Sequence, residues 1–494
     1  MPNELPKRGE DINAGDVIAA EIQRLGAYQW QESKEISQEG LRLANAGSTG
    51  VRFFTPKEGK EETRAANEAK LLLPALRQWT WPTRGAQAER GSLYLQARKH
   101  RKSQEPQSSK AALERVVKEY PKTTVKRWAE ESNLQSLGWG SDHVLRTDIE
   151  RVLLSVKGDS SPGVPYSSLG GTNAEVLKHH RLFIVDAVVF RIKRLLSIDV
   201  TGLGSRDLVQ LGLCDPVRLF VKNEPHKEAK TKAGRFRLIM SVSLVDQLVE
   251  RLIASRQNRA EIMRWESIPS KPGIGLDDVS VATIWEQVAP VFKDGKLMET
   301  DISGFDWSVQ EWELRLDMEA RVKLCSAGPL LTKVMMNRVY CTAHSVFSLS
   351  DGSLIEQLDG GIQKSGSYNT SSTNSRIRVM LAYMAGSPWC IAMGDDSLEY
   401  FVPGSLEIYS QLGHEIKDHR IASTSFEFCS HQFQDGIAFP VNWSKTLYRL
   451  LSQPESKIDR LGDEFVQQFC YEMRHSSELS SCLDLLEQVG WRRL

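Results

Sequence analysis

The sequence predicts an α+β fold, and three observations carry that prediction. Around Leu297-Met298-Glu299-Thr300-Asp301-Ile302 a short strand-like run enters a turn, after which Trp312, Leu316, Ala320 and Leu324 recur every fourth residue, the stripe of a helix. Residues 389–393 and 398–401 are strand-like runs flanking Gly394-Asp395-Asp396-Ser397, the pattern of a β-hairpin with a polar tip. Between these units Ile377, Met380, Leu381 and Met384 fall at i, i+3, i+4 and i+7, so a helix follows the Ser/Gly-rich segment 365–375.

The remaining elements can be read in order along the chain. Its 494 residues suggest about three lobes, and 40% hydrophobic with 26% charged residues is the composition of a globular protein. Residues 1–125 are rich in Lys, Arg, Glu, Gln and Ser, with helical patches at 17–25 and 71–76. Within them the tract Arg98-Lys99-His100-Arg101-Lys102 reads as a solvated basic loop, the alternative being a strip that contacts RNA or docks a partner. From about 126 longer apolar segments separated by Gly and Pro mark the start of a folded domain, with 182–196 a buried helix. Beyond about 425 the chain again reads as amphipathic helix, ending with Leu479, Cys482, Leu483 and Leu486.

A formal net charge of zero argues against a protein that coats nucleic acid through overall basicity, so any such site must be a local basic channel. Seven scattered cysteines with no CxxC pair suit a reducing cytosol and provide neither a disulfide framework nor a zinc site. No stretch approaches the roughly 18 apolar residues of a membrane span, and the polar start MPNELPKRGEDINAGD lacks the apolar core of a secretory signal. The protein is expected to be soluble on its own, with a partner bringing it to any membrane at which it works.

Two-metal nucleotidyl transfer needs carboxylates from separate segments to converge on a pair of cations about 3.5–4 Å apart. Asp301 at a strand end, with Asp395 and Asp396 on a tight turn where Gly394 permits a positive φ, can supply them. Oxygen ligands without His or Cys suit Mg²⁺. Alone, each piece is weak, since a Gly-Asp-Asp triplet arises by chance in a chain of this length roughly one time in ten. The segment 365–375 changes that, because its form SGxxxTxxxNS has a chance of about 10⁻⁶ at a given start.

With these residues the chain resembles the RNA-dependent RNA polymerases of positive-strand RNA viruses, whose motifs A, B and C read DxxxxD, SGxxxTxxxNS and GDD in this order. The combination of SPGVP, FVKNEPH, SGSYNTSSTNS, MGDD and FCSH is most similar to sobemovirus-type polymerases and their polerovirus-like relatives, with coverage good from about 155 to 435 and poor before 125.

The resemblance implies a right hand of fingers, palm and thumb, with an antiparallel palm sheet backed by helices: an N-terminal extension over 1–125 bridging fingertips and thumb, fingers over 126–295, palm over 296–424 with an inserted finger segment, and thumb over 425–494. It implies that Asp301 and Asp395 ligate both metals, Mg²⁺ with Mn²⁺ able to substitute, assisted by Asp396. Asp306 and Asn374 would work at the ribose, where a carboxylate and an amide recognise a 2′-hydroxyl and penalise its absence. Ser365 and Gly366 would form the turn that positions template and nucleotide, with Thr370 near the sugar. Alternatively, this Ser/Thr-rich run is a helix N-cap ending at Asn374 or Ser375.

In motif F, Lys222 with Glu224 and Arg237 with Ile239 would line the nucleotide channel, cations there suiting the triphosphate. Pro162 and Gly163 of motif G would meet the template, Lys417 of motif D would protonate the departing pyrophosphate, and Cys429 and Ser430 of motif E would grip the primer strand. Implied partners are template and product RNA, rNTPs, a genome-linked protein primer, a viral membrane-anchoring protein and a second copy of the chain. The implied setting is the cytoplasm of a plant host, after release from a polyprotein. Two rivals remain: a reverse transcriptase, opposed by Met393-Gly394 and by the Asp306–Asn374 combination, and a noncatalytic scaffold, opposed by the presence of all three aspartates.

Overall fold

The computed structural model describes residues 14–37, 39–54, 61–125 and 143–491. Most of the polar start, and the opening of the segment expected from residue 126, lie outside the described residues. At its centre is an antiparallel sheet of four strands in the order Cys390–Met393, Asp396–Tyr400, Leu297–Ile302, Ile416–Ile421. The first two form the expected hairpin, with Met393 opposite Asp396. Gly394 at its tip has φ +60, a conformation that side chains resist, although no atom would obstruct a Cβ there. Leu297 and Met298, adjacent in one strand and so on opposite faces, are both fully buried, as is Leu398, so this end of the sheet is covered on both sides.

Helices Glu311–Leu324, Pro329–Ala343 and Thr370–Met384 share one large core that also takes in Ser109–Glu119 from the N-terminal region. The helix expected after 365–375 begins inside that segment, at Thr370, and its N-cap is Asn369 rather than Asn374 or Ser375. Arg376 locks this helix to its neighbours: fully buried, it donates to Asp317 at 2.7 Å and also bonds Glu261. Buried guanidinium–carboxylate sets of this kind are costly to break on one side, by about 3–5 kcal/mol.

The described residues between 14 and 125 are built into the fold. Strands Gln29–Ser37 and Leu43–Ser48 extend a six-stranded sheet through Ser353–Gln357, Val346–Ser348, Val217–Val221 and Leu238–Ser241, with Leu43 opposite Gln357. Further on, Ala66, Ala69, Leu76 and Trp79 share a core with Leu447, Leu451, Phe469 and Leu486. Thr63 both caps the helix Arg64–Leu72, accepting from the Ala66 amide, and donates to the Leu451 carbonyl at 2.6 Å, while Trp79 Nε1 donates to Ser444 at 2.9 Å.

The chain beyond 425 differs from expectation in one respect. Three strands, Phe426–Phe428, His431–Gln434 and Ile437–Pro440, precede the helices Trp443–Leu451, Glu455–Glu472 and Leu479–Gln488. The Phe426, Phe428 and Phe433 rings alternate at strand spacing and bury against the helix Asp278–Lys293. Among the described residues no helix is long and apolar enough to cross a membrane.

Candidate active site

The strand register brings two of the acidic positions together. Thr300 lies opposite Ser397, so the next residues along, Asp301 and Asp396, face one another where the sheet ends, beside Asp395 at the hairpin tip. Burial, the charge of Asp395, and then Glu427 and Asp301 push the Asp396 carboxyl up to about 7. Asp301 is exposed and paired with Lys417 Nζ at 3.2 Å. Asp301, Asp396, Asp418, Glu299 and Glu427 line a cavity of about 260 Å³.

As the side chains stand, no three acidic, His or Cys groups among the described residues draw close enough to hold a metal ion. The donor chemistry nonetheless fits Mg²⁺. The oxygens that Asp301, Asp395 and Asp396 offer are hard carboxylate oxygens, and neighbouring carboxylates add to the burial that raises Asp396.

The hairpin is held from beneath by the helix Thr370–Met384, whose Ser375 Oγ accepts from the Gly394 amide at 2.8 Å. Asn374, one residue earlier, donates its amide to Asp306 Oδ1 at 2.8 Å. Among the described residues its own Oδ1 is buried without a hydrogen-bond partner, an acceptor open to a hydroxyl. Burial raises the Asp306 carboxyl to about 6, against the Asn374 hydrogen bond, and Asp395 raises it further. Asp306 sits on the short helix Phe305–Ser308, which follows the left-handed Gly304.

The loop before the helix is tightly closed. Ser365 Oγ accepts from the Met240 amide at 3.0 Å and the Gly366 amide donates to the Met240 carbonyl at 2.8 Å; a Cβ on Gly366 would lie 2.2 Å from that oxygen. Thr370, expected near the sugar, has its hydroxyl turned inward to the carbonyls of Lys364, Ser367 and Ser365.

Glu224 organises the basic strip. It pairs with Arg237 at 2.7 Å, Lys222 at 3.3 Å and, from the C-terminal region, Lys445 at 3.4 Å. Burial would raise its carboxyl, but Arg237, Lys445 and Lys222 together hold it below the usual range. Arg237 is also close enough to Asp306 to favour its ionised form.

Of the remaining expected residues, Cys429 and Ser430 occupy a turn with φ +54 and +57. Burial and the charges of Asp396 and Asp395 push the Cys429 thiol far up, which puts this turn beside the hairpin. Pro162 and Gly163, expected to meet the template, are buried. The Pro162 carbonyl accepts from the Leu244 amide at 2.8 Å, and a Cβ on Gly163 would lie 3.0 Å from Ser243 Cα, so the pair closes onto the helix Leu244–Met263 and leaves Ser160 and Ser161 as the part-exposed edge.

The basic tract 98–102 is solvated only in part, with Arg98, Arg101 and Lys102 exposed. His100 is buried with Nδ1 2.9 Å from the Trp307 carbonyl, and Gln310 Nε2 donates to the Arg101 carbonyl at 2.8 Å. Lys99 lies across Gly304, its Cδ 2.6 Å from where a Cβ would stand. Burial, then Lys230, Arg235 and Lys417, lower its ammonium, and Asp301 alone opposes them. Four cations from three stretches of chain thus act on one another here, and one of them, Lys417, is bonded to the exposed Asp301. Sequence reading missed Lys99, and its only signal was the basic run itself.

Comparison with known proteins places this arrangement. Residues 62–443 match the family model described as viral RNA-directed RNA-polymerase. The chain is 41% identical over 463 residues to the replicase polyprotein P2AB of Southern cowpea mosaic virus, covering 90% of this chain and 47% of that one. It is 38% identical over 488 residues to protein P1-P2 of a potato leafroll virus strain, covering 92% and 44%. It thus spans about half the length of such relatives. With the RNA-directed RNA polymerase of mushroom bacilliform virus the identity is 39% over 401 residues, covering 74% of this chain and 95% of that one. The Sicinivirus 3Dpol RNA-dependent RNA polymerase superposes with a TM-score of 0.64 over 92% of this chain and 94% of that one at 14% identity, a likeness of fold and thus of the right-hand architecture.

Proposed function

The chain belongs to the viral RNA-directed RNA polymerase family, and from that premise we propose that it extends an RNA strand on an RNA template. It transfers nucleotides from rNTPs to the growing 3′ end, releases pyrophosphate, and so replicates a viral RNA genome. The observation that carries this reading is the strand register that sets Asp301 against Asp396 at the foot of the Asp395 turn.

When bound, a pair of Mg²⁺ ions, with Mn²⁺ able to substitute, supplies Lewis acidity to the attacking and leaving oxygens; Asp301, Asp395 and Asp396 would hold it. Arg237 and Lys222, kept in place by Glu224, receive the triphosphate, and Lys99 and Lys230 add charge to the same polyanion site. Lys417 is the proton donor to the departing pyrophosphate. Asp306 and the open Oδ1 of Asn374 read the ribose hydroxyls, which selects RNA over DNA precursors. Ser365 and Gly366 shape the template-facing turn, and Cys429 and Ser430 support the primer strand.

In this reading residues 1–125 bridge fingertips and thumb, 126–295 are fingers, 296–424 palm with an inserted finger segment, and 425–494 thumb. Two relatives are named as replicase polyprotein P2AB and protein P1-P2, which supports release of the chain from a larger precursor. Work in the host cytoplasm, at membranes reached through a viral anchoring protein, with a genome-linked protein as primer and a second copy as partner, completes the proposal.

The test is incubation of purified protein with a homopolymeric RNA template, labelled rNTPs and Mn²⁺, with and without primer. Template-length product from wild type, and none from Asp395→Ala, which still binds RNA, is the expected result. Equal synthesis by that variant, or preference for dNTPs, would overturn it.

A further inference from the structure

Arg378 is fully buried on the helix Thr370–Met384, one turn beyond Asn374, and it carries no direct ion pair among the described residues. Its Nε donates to the Asp395 carbonyl at 3.0 Å. One terminal nitrogen, Nη2, donates to Thr300 Oγ1 at 2.6 Å and also to Ser397 Oγ. Its guanidinium carbon lies 5.8 Å from the centre of the Phe305 ring and 5.5 Å from that of Tyr409. Thr300 precedes Asp301, Phe305 precedes Asp306 and Ser397 follows Asp396. A single planar group therefore touches Asp395 itself and a chain neighbour of each of the other three aspartates.

The charge of Arg378 is only partly compensated by direct bonding. A buried carboxylate, Glu399, favours the charged guanidinium but takes its hydrogen bond from Tyr409 at 2.6 Å and none from Arg378, and among the described residues Nη1 has no hydrogen-bond partner. The acceptors it serves are hydroxyls and one carbonyl, which a neutral side chain could satisfy. Arg376, two residues earlier, shows the cheaper arrangement, bonding Asp317 and Glu261 directly. What distinguishes Arg378 is its location beneath the sheet end where Asp301, Asp395 and Asp396 converge, bonded to the backbone or a chain neighbour of each. A rigid fork can hold two chain segments at one spacing, which a flexible ammonium cannot.

We propose that Arg378 is a positioning residue that sets the spacing of the Asp301 strand end against the Asp395–Asp396 turn and thereby the affinity of this site for divalent cations. The proposal rests on the polymerase reading of the same site. It predicts that Arg378→Lys, which keeps the charge and loses the fork, weakens Mn²⁺ binding to the free protein about tenfold, read by electron paramagnetic resonance of unbound Mn²⁺. The Mg²⁺ concentration for half-maximal synthesis should rise by a similar factor, and RNA binding should stay unchanged.

Thr300→Val with Ser397→Ala removes the two hydroxyl acceptors without touching Arg378 and should weaken Mn²⁺ in the same direction, so it decides the matter if Arg378→Lys does not fold. Arg376→Lys is the control for a purely structural arginine: a lower melting temperature with unchanged Mn²⁺ affinity is expected. If Asp395→Ala abolishes Mn²⁺ binding but both the Arg378 and the double variant bind as wild type does, the positioning role is refuted and the polymerase reading stands. If Asp395→Ala binds Mn²⁺ as wild type does, the site reading itself fails and takes the positioning role with it.

Discussion

Replacing Asp306 with asparagine should stabilise the protein while spoiling its choice of sugar. The carboxyl is pushed from an ordinary 3.8 to about 6, chiefly by burial and further by Asp395. An acid whose folded value is raised costs stability when ionised; the cost is complete above the folded value and vanishes below the unfolded one. At 1.36 kcal/mol per pH unit, the displacement corresponds to at most about 3 kcal/mol at pH 7. Asp306 keeps a part-exposed edge, so solvent screening trims this to about 1–2 kcal/mol.

Asparagine keeps an oxygen to accept from Asn374 and removes the charge, so Asp306→Asn should gain that amount. With an unfolding entropy of about 2.1 cal/mol/K per residue, the gain corresponds to a rise in melting temperature of about 1–2 °C. Thermal melts at pH 8, 7, 6 and 5 check the sign: the advantage should be flat above about pH 7 and fall to about half by pH 5. In primer extension the same variant should lose at least about tenfold in rNTP-over-dNTP discrimination, because the acceptor that a 2′-hydroxyl satisfies has been weakened. A variant that melts lower than wild type at pH 7, or whose advantage grows on acidification, would refute the reasoning.

Three further outcomes follow from the geometry. Gly366→Ala forces a Cβ to 2.2 Å from the Met240 carbonyl, so the loop must move; synthesis should fall at least about a hundredfold with the far-ultraviolet circular dichroism unchanged, about 3 kcal/mol of transition-state stabilisation. Trp79→Ala removes a buried ring and its bond to Ser444; a cost of about 3–5 kcal/mol should appear as faster limited proteolysis near residues 61–80. Lys99→Ala removes one of the four interacting cations and, on the proposed reading in which Lys99 adds charge to the polyphosphate site, should raise the KM for rNTPs about tenfold while leaving the affinity for RNA within about twofold.

The sequence by itself determined the parts whose physics is local. The periodicity of 312–324 and 377–384, the alternation either side of Gly394-Asp395-Asp396 and the run 365–375 depend on residues within a few turns of one another, and each predicted element formed, the helix over 377–384 starting earlier than read, at Thr370. The spacing of Asp301, Asn374 and Asp395 carried the family likeness for the same reason.

What only the tertiary structure decided concerns what lies opposite a residue far along the chain. Nothing within 98–102 distinguishes a lysine facing water from one laid across Gly304 beside Asp301. Nothing near Arg378 reveals that its acceptors are Thr300, Ser397 and the Asp395 carbonyl. Pro162 and Gly163, expected to meet the template, are buried because the start of the helix at Leu244 closes over them. The strands at 426–440 are only three or four residues long, so the alternation of Phe426, Glu427 and Phe428 is brief, and they are held by aromatic packing on a helix more than a hundred residues earlier. Backbone propensity is set by neighbours in sequence, whereas burial and the pairing of charges are set by neighbours in space, and in this protein the acidic residues acquire their function only from the second kind.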